Sequence, residues 1–168
     1  MLLSNYAIWL LGPISPIVAR GNLARGRTMA ICGGCLCGAA RYEIKADAPL
    51  GVRDCWCRVC QYIGAGGGTV NAVFRKEDVT VSGRLTDYVC KADSGSTMHR
   101  RFCVRCGTPM FSESEERPHQ IIVRVGTLDD PNLAKPGGVV WTKSAPAWAC
   151  FEPGVPQTEG QPAPAPKS

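Results

Sequence analysis

Seven of the ten cysteines fall in three tight clusters. Cys35-Leu36-Cys37 is a C-x-C pair. Cys55-Trp56-Cys57-Arg58-Val59-Cys60 is a C-x-C-x-x-C run, and Cys103-Val104-Arg105-Cys106 is a C-x-x-C pair. A C-x-x-C turn aims two sulfurs at one tetrahedral ion, so the spacing suits zinc. It suits disulfides poorly, because close sequence neighbours rarely reach the Cα and Cβ separations that a disulfide requires. A disulfide scaffold is the competing reading. Zinc-held thiols imply a reducing compartment, most simply the cytoplasm.

A run of three thiols leaves one tetrahedral position for water, substrate or another side chain. The protein candidates for that fourth place are Cys32, Cys90, His99 and Asp54. His99 and His119 are the only histidines. His99 lies in an expected strand, where it could act as a general base or simply pack. Cys90 and Cys150 read as small buried hydrophobes.

The elements that must hold these residues read as strands. Ala40, Tyr42 and Ile44 alternate with Arg41, Glu43 and Lys45, which is the period of a half-buried strand. Ala48 to Gly51 reads as a turn, and the central cluster follows directly. Further strands are expected over 69–74, 79–81, 85–90, 97–102, 120–125 and 139–142, where β-forming residues stand between turn signals. Gly33-Gly34 and Gly38 bracket the first pair and permit a tight backbone there. The glycine-rich stretch 61–68 is either a connector or a loop that a ligand can approach, but no phosphate-loop motif follows it. No stretch sustains a helical period, so the fold class expected is all-β.

Residues 1–29 read as an extension, either disordered or a start assigned too early. The apolar run 7–19 is interrupted by Pro13 and Pro16, is too short to span a bilayer and has no preceding Lys or Arg. The folded domain is expected over 30–151, with a disordered Pro-rich tail over 152–168. The formal charge is +5. Arg20, Arg25 and Arg27 stand in a segment with no acidic residue, and seven thiolates on two Zn²⁺ would bring the remaining core near neutrality. Nucleic acid and membrane are therefore disfavoured as partners.

With their flanks, the clusters resemble the glutathione-dependent formaldehyde-activating enzyme (GFA) family, whose domain is shared with centromere protein V (CENP-V). The matching residues are Gly34 to Gly38, Arg41-Tyr42, Cys55 to Cys60, Val81-Ser82-Gly83, Tyr88, Arg101 to Thr108, Gly126 to Asp130 and Trp141 to Trp148. The resemblance runs from about Gly33 to Trp148. It departs at Val139-Val140, where the family often has His-Ile; the change reads as loss of a group at the surface or behind the metal ligands.

The resemblance implies antiparallel sheets joined at zinc-binding cysteine knuckles, a β-tent or zinc-ribbon-like arrangement. It implies two Zn²⁺ per chain. Cys35, Cys37, Cys103 and Cys106 would close a structural site. Cys55, Cys57 and Cys60 would form a catalytic site with an open fourth position, to which a glutathione sulfur is suited. The activity implied is a zinc-dependent carbon–sulfur lyase of the S-(hydroxymethyl)glutathione synthase kind, acting on a glutathione–aldehyde or related thiol adduct. Glutathione carries two carboxylates, so Arg58 and Arg101, beside the clusters, are the candidate contacts. Either could instead lie on the solvated surface or neutralise thiolates. Trp56, Trp141 and Trp148 are candidates for pocket walls or for the core. The alternative is a non-enzymatic zinc module for a protein or nucleic-acid partner.

Overall fold

The computed structural model describes residues 30–162. The readings made for residues 1–29 and for the last six residues lie outside the described residues. The strands are β1 (Ile31–Gly34), β2 (Arg41–Ile44), β3 (Gly51–Cys55), β4 (Thr69–Arg75), β5 (Val79–Ser82), β6 (Leu85–Lys91), β7 (Thr97–Cys103), β8 (Pro109–Ser114), β9 (Gln120–Arg124), β10 (Val139–Val140) and β11 (Gln157–Thr158). One short helix, α1 (Arg58–Ile63), follows β3. The fold is all-β. No helix among the described residues is long and apolar enough to cross a membrane.

The strands form two sheets. The smaller has the order β1-β2-β5, and the larger β11-β10-β3-β4-β9-β8-β7-β6. Pairing is antiparallel except at one edge, where β10 runs parallel to β3 and β11. The alternation in β2 does what its pattern implies. Tyr42 and Ile44 are buried while Arg41 and Glu43 face out.

The main core lies between the two sheets. Ile31, Tyr42 and Ile44 come from the smaller sheet, and Ala72, Phe74, Phe111, Ile121 and Val123 from the larger. Tyr42 and Phe111 meet edge to face with ring centroids 5.1 Å apart. The Tyr42 hydroxyl lies 2.9 Å from Thr127 Oγ1 within this core.

The ladder register fixes which residues of the larger sheet share a face. Cys55 is opposite Thr69, and Asn71 is opposite Arg124. Ser112 is opposite both Ile122 and Arg100. Side chains alternate along a strand, so Cys55, Thr69, Asn71, Arg124, Ser112 and Arg100 all lie on the outer face. The other face carries Val123, Phe111 and Arg101 toward the smaller sheet.

Several elements differ from expectation. Gly51 opens β3 rather than closing a turn, and β8 and β1 were not expected. The final strand stops at Val140 because Trp141 turns into the left-handed region at φ 63°. Residues 156–160, within the stretch expected to be a disordered tail, are laid along the sheet edge. Gln157 and Thr158 pair with Val139 and Val140, and the Val139 amide donates to Pro156 O at 2.8 Å. Proline limits the donors a strand can offer, but an edge position asks for fewer of them. Val139 and Val140 are buried, so the departure from the His-Ile pattern does not lie at the surface.

Candidate metal centres

Two cysteine groups converge. The sulfurs of Cys35, Cys37, Cys103 and Cys106 lie within 4.8 Å of one another, and so do those of Cys55, Cys57 and Cys60. The Cys35–Cys37 and Cys37–Cys103 sulfurs are 3.6 and 3.8 Å apart. Those separations are far too long for a disulfide, whose sulfurs sit at about 2.05 Å. They match the edge of a tetrahedron with metal–sulfur arms of about 2.3 Å. The donor set and its spacing therefore fit zinc.

The four-cysteine group joins the sheets. Cys35 and Cys37 sit in the turn between β1 and β2, while Cys103 and Cys106 sit at the turn between β7 and β8. Each turn ends on a glycine in the left-handed region, Gly38 at φ 72° and Gly107 at φ 70°. Backbone amides aim at the sulfurs. Ala40 N–H donates to Cys35 Sγ at 3.2 Å and Arg105 N–H to Cys103 Sγ at 3.4 Å. Thr108 holds the group from both sides, its Oγ1 lying 3.1 Å from Cys106 Sγ and accepting from Leu36 N–H at 3.2 Å. The Thr108 side chain and backbone push the Cys106 thiol down to about 5. For Cys37, the Ala39 amide favours the thiolate. Burial and the thiols of Cys106, Cys35 and Cys103 outweigh it and push the group up to about 11. Four thiolates cannot coexist at this spacing without a cation between them.

The three-cysteine group lies at the end of β3 and the start of α1. Cys57 caps α1, its sulfur accepting from Cys60 N–H at 3.4 Å. Cys57 and Cys60 pack with Val140 and Trp141, and Cys55 and Val59 border them. Gln61 fastens the helix, donating to Trp56 O at 2.7 Å and Ser144 O at 2.8 Å. Hydrogen bonds from Cys55 and Cys57 push the Cys60 thiol down, and Cys55 is pushed up in exchange.

No fourth His, Cys, Asp or Glu atom joins this group among the described residues. Each side chain considered for that place is engaged elsewhere. Asp54 Oδ2 accepts from Trp56 Nε1 at 2.7 Å. His99 Nδ1 faces Asp87 Oδ2 at 2.5 Å. Cys90 Sγ accepts from Arg100 Nε at 3.3 Å, and Cys32 Sγ donates to Ala30 O at 3.6 Å.

The expected pocket residues divide. Trp56 and Trp141 are buried, and Trp148 is exposed against the edge of Trp56 with centroids 6.3 Å apart. The glycine-rich loop packs against Asp54 and Trp56 at Gly68. A Cβ on Gly68 would stand 2.5 Å from Asp54 Oδ1 and 2.7 Å from Trp56 Nε1. Arg58, exposed at the start of α1, lies over the Tyr62 ring at 5.3 Å and donates to Gln61 Oε1.

Arg101, the other arginine expected beside the clusters, is placed apart from the three-cysteine group. It lies on the inner face of the larger sheet, across from Cys55, with its Nε 3.1 Å from buried Glu113. Lys76 Nζ meets the other oxygen of the same carboxylate. Of the arginines on the outer face with Cys55, two are buried, Arg100 and Arg124, and the sequence reading passed over both. Arg124 was legible as the one charge in the apolar stretch Gln120 to Val125. It donates to Thr69 Oγ1 at 3.4 Å, to Asn71 Oδ1, and to Ser112 Oγ at 2.6 Å.

The model of a family described as glutathione-dependent formaldehyde-activating enzyme matches residues 30–144. A protein of Halomonas elongata, provisionally named as a glutathione-dependent formaldehyde-activating enzyme, is 26% identical over 112 residues, covering 64% of this chain and 71% of its own. A crystal structure of a Rhodobacter sphaeroides protein is 25% identical with a TM-score of 0.49, covering 62% of this chain and 96% of that one.

Proposed function

Because the chain belongs to the glutathione-dependent formaldehyde-activating enzyme family, we propose that it is a zinc-dependent carbon–sulfur lyase of the S-(hydroxymethyl)glutathione synthase kind. The observation that carries this reading is the contrast between the two cysteine groups. One offers four sulfurs, and the other offers three with no fourth protein donor among the described residues. A closed four-thiolate set is structural and a three-ligand set keeps a place for substrate. Cys35, Cys37, Cys103 and Cys106 would hold the structural ion. Cys55, Cys57 and Cys60 would hold the second.

When bound there, zinc would lower the pKa of an incoming thiol and polarise a nearby carbonyl. The chain's own residues do the rest. Cys57 and Cys60 are fixed by α1, and Gln61 fixes α1 against Trp56 and Ser144. Val140 and Trp141 keep water from one side of the sulfurs. A thiolate held here adds its electron pair to the aldehyde carbon. The carbon–oxygen π pair moves to oxygen, which takes the proton the thiol lost. The reverse step breaks the same carbon–sulfur bond. Holding both reactants together supplies most of the acceleration. Arg58, one residue after Cys57, is retained as a contact for a glutathione carboxylate at the mouth of the site. The free thiols require a reducing compartment, and the cytoplasm meets that need.

The test is glutathione–formaldehyde exchange followed by magnetisation-transfer NMR, with zinc counted in every sample. Wild type should accelerate exchange. Cys57→Ser should keep one zinc and its fold and lose the acceleration. No acceleration by protein carrying two zinc ions would sink the lyase assignment and favour a binding module.

A further inference from the structure

The outer face of the larger sheet buries two arginines that the proposed chemistry has not used. Arg124 is 7% exposed and Arg100 is 9% exposed. Both donate to one oxygen, Ser112 Oγ, at 2.6 and 3.4 Å. Their remaining partners, Thr69, Asn71 and Cys90, carry no formal charge. No carboxylate lies within 4.0 Å of either guanidinium among the described residues, and the residues outside that range include no Asp or Glu. Arg124 Nε is fully buried and has no hydrogen-bond partner.

Two buried cations side by side are costly unless an anion compensates them. The cysteine group supplies part of that compensation. Three thiolates on one divalent ion would leave a single negative charge on the same sheet face. One positive charge remains. Ser112 accepts from both guanidiniums, which leaves its own proton available to an acceptor. Arg124 Nε, the Ser112 hydroxyl and the free Arg100 donors thus form an unfilled set of anion-binding donors. They lie on the same sheet face as Cys55.

We infer that Arg100, Arg124 and Ser112 form a carboxylate subsite, which receives a carboxylate of the thiol substrate while its sulfur occupies the open place among Cys55, Cys57 and Cys60. This rests on the proposed function for the position of the sulfur. The arginine contacts stand on their own geometry. The subsite makes the protein selective for thiols that carry an anion, because a neutral thiol leaves the pair uncompensated.

The test uses the chain loaded with two cobalt ions, so that thiol ligation is read from the cobalt absorption bands and ligand binding by calorimetry. The probes are glutathione, cysteamine, which is a thiol without a carboxylate, and S-methylglutathione, which has both carboxylates but no free thiol. Arg100→Gln should weaken glutathione and S-methylglutathione by about tenfold or more, the usual loss of a charge-assisted hydrogen bond. Cysteamine should be unaffected. Arg124→Lys, which keeps the charge, should show a smaller loss and a folded, two-metal protein. Equal weakening of cysteamine and glutathione would overturn the subsite, and so would unchanged S-methylglutathione binding in both variants. Cobalt bands that no thiol perturbs would instead sink the thiol-on-metal reading. Arginine-dependent binding of S-methylglutathione would then still uphold the subsite.

Discussion

At the level of single residues, the cysteine turns depend on two glycines in the left-handed region. A Cβ at Gly107 or Gly38 would meet nothing within 4 Å, so only the backbone conformation opposes a side chain there. Gly107→Ala should cost about 1–2 kcal/mol, the penalty for an L-residue in that region. Gly126→Ala, with equal space and no positive φ, is the control and should be nearly neutral. Urea unfolding of the zinc-loaded proteins measures both. Gly68 differs in kind. Its Cβ would strike Asp54 and Trp56, so Gly68→Ala should displace the indole and shift the tryptophan fluorescence. At this scale the cysteines were legible because their spacing is itself the chemistry. The arginines were not. Arg100 and Arg101 are adjacent in sequence, and only the pleat decides which of them faces Cys55.

Among the elements, β2 and β4 were legible because alternation and β-branched residues mark a half-buried strand. β8 was missed for a physical reason. Met110 to Ser114 are all buried, yet three of those five side chains are polar. Ser112 meets Arg100 and Arg124, and Glu113 meets Lys76 and Arg101, so polarity here marks internal pairing rather than exposure. α1 escaped because six residues are too few to show a period. The β6–β7–β8 region also carries a pH response. The Asp87 hydrogen bond, opposed by burial and aided by Glu115, raises His99 above the ordinary imidazole value of about 6.5. Its folded pKa therefore exceeds its unfolded one. The stability that it adds is complete below about pH 6.5 and is lost as pH rises through the folded value. His99→Gln should flatten that part of the stability profile, as thermal melts across neutral pH would show.

For the whole molecule, stability rests on the core between the sheets and on the cysteine group that joins them. Phe111 is 1% exposed and sits against Tyr42 at the centre of that core. Phe111→Ala should cost about 3–5 kcal/mol, read from denaturant midpoints. Stripping metal with a strong chelator should loosen the β1–β2 turn from the β7–β8 turn, with loss of near-ultraviolet circular dichroism, because binding energy at such a site is folding energy. The all-β class was legible from composition and turn spacing. The union of Cys35-Cys37 with Cys103-Cys106 was not legible from spacing, since nothing in either pair names its partner, and came only from the resemblance. The separation of 66 residues between Cys37 and Cys103 also sets a timetable. Everything between them, including the whole Cys55 to Cys60 run, lies inside the loop that the outer group closes. A nascent chain can gather Cys55, Cys57 and Cys60 while the rest is unfolded, because closing so short a segment costs little entropy. The outer group must wait for the strands to bring its halves together. In refolding with cobalt, thiolate absorption should therefore rise in two phases. The fast one should precede sheet formation, and the slow one should keep pace with it.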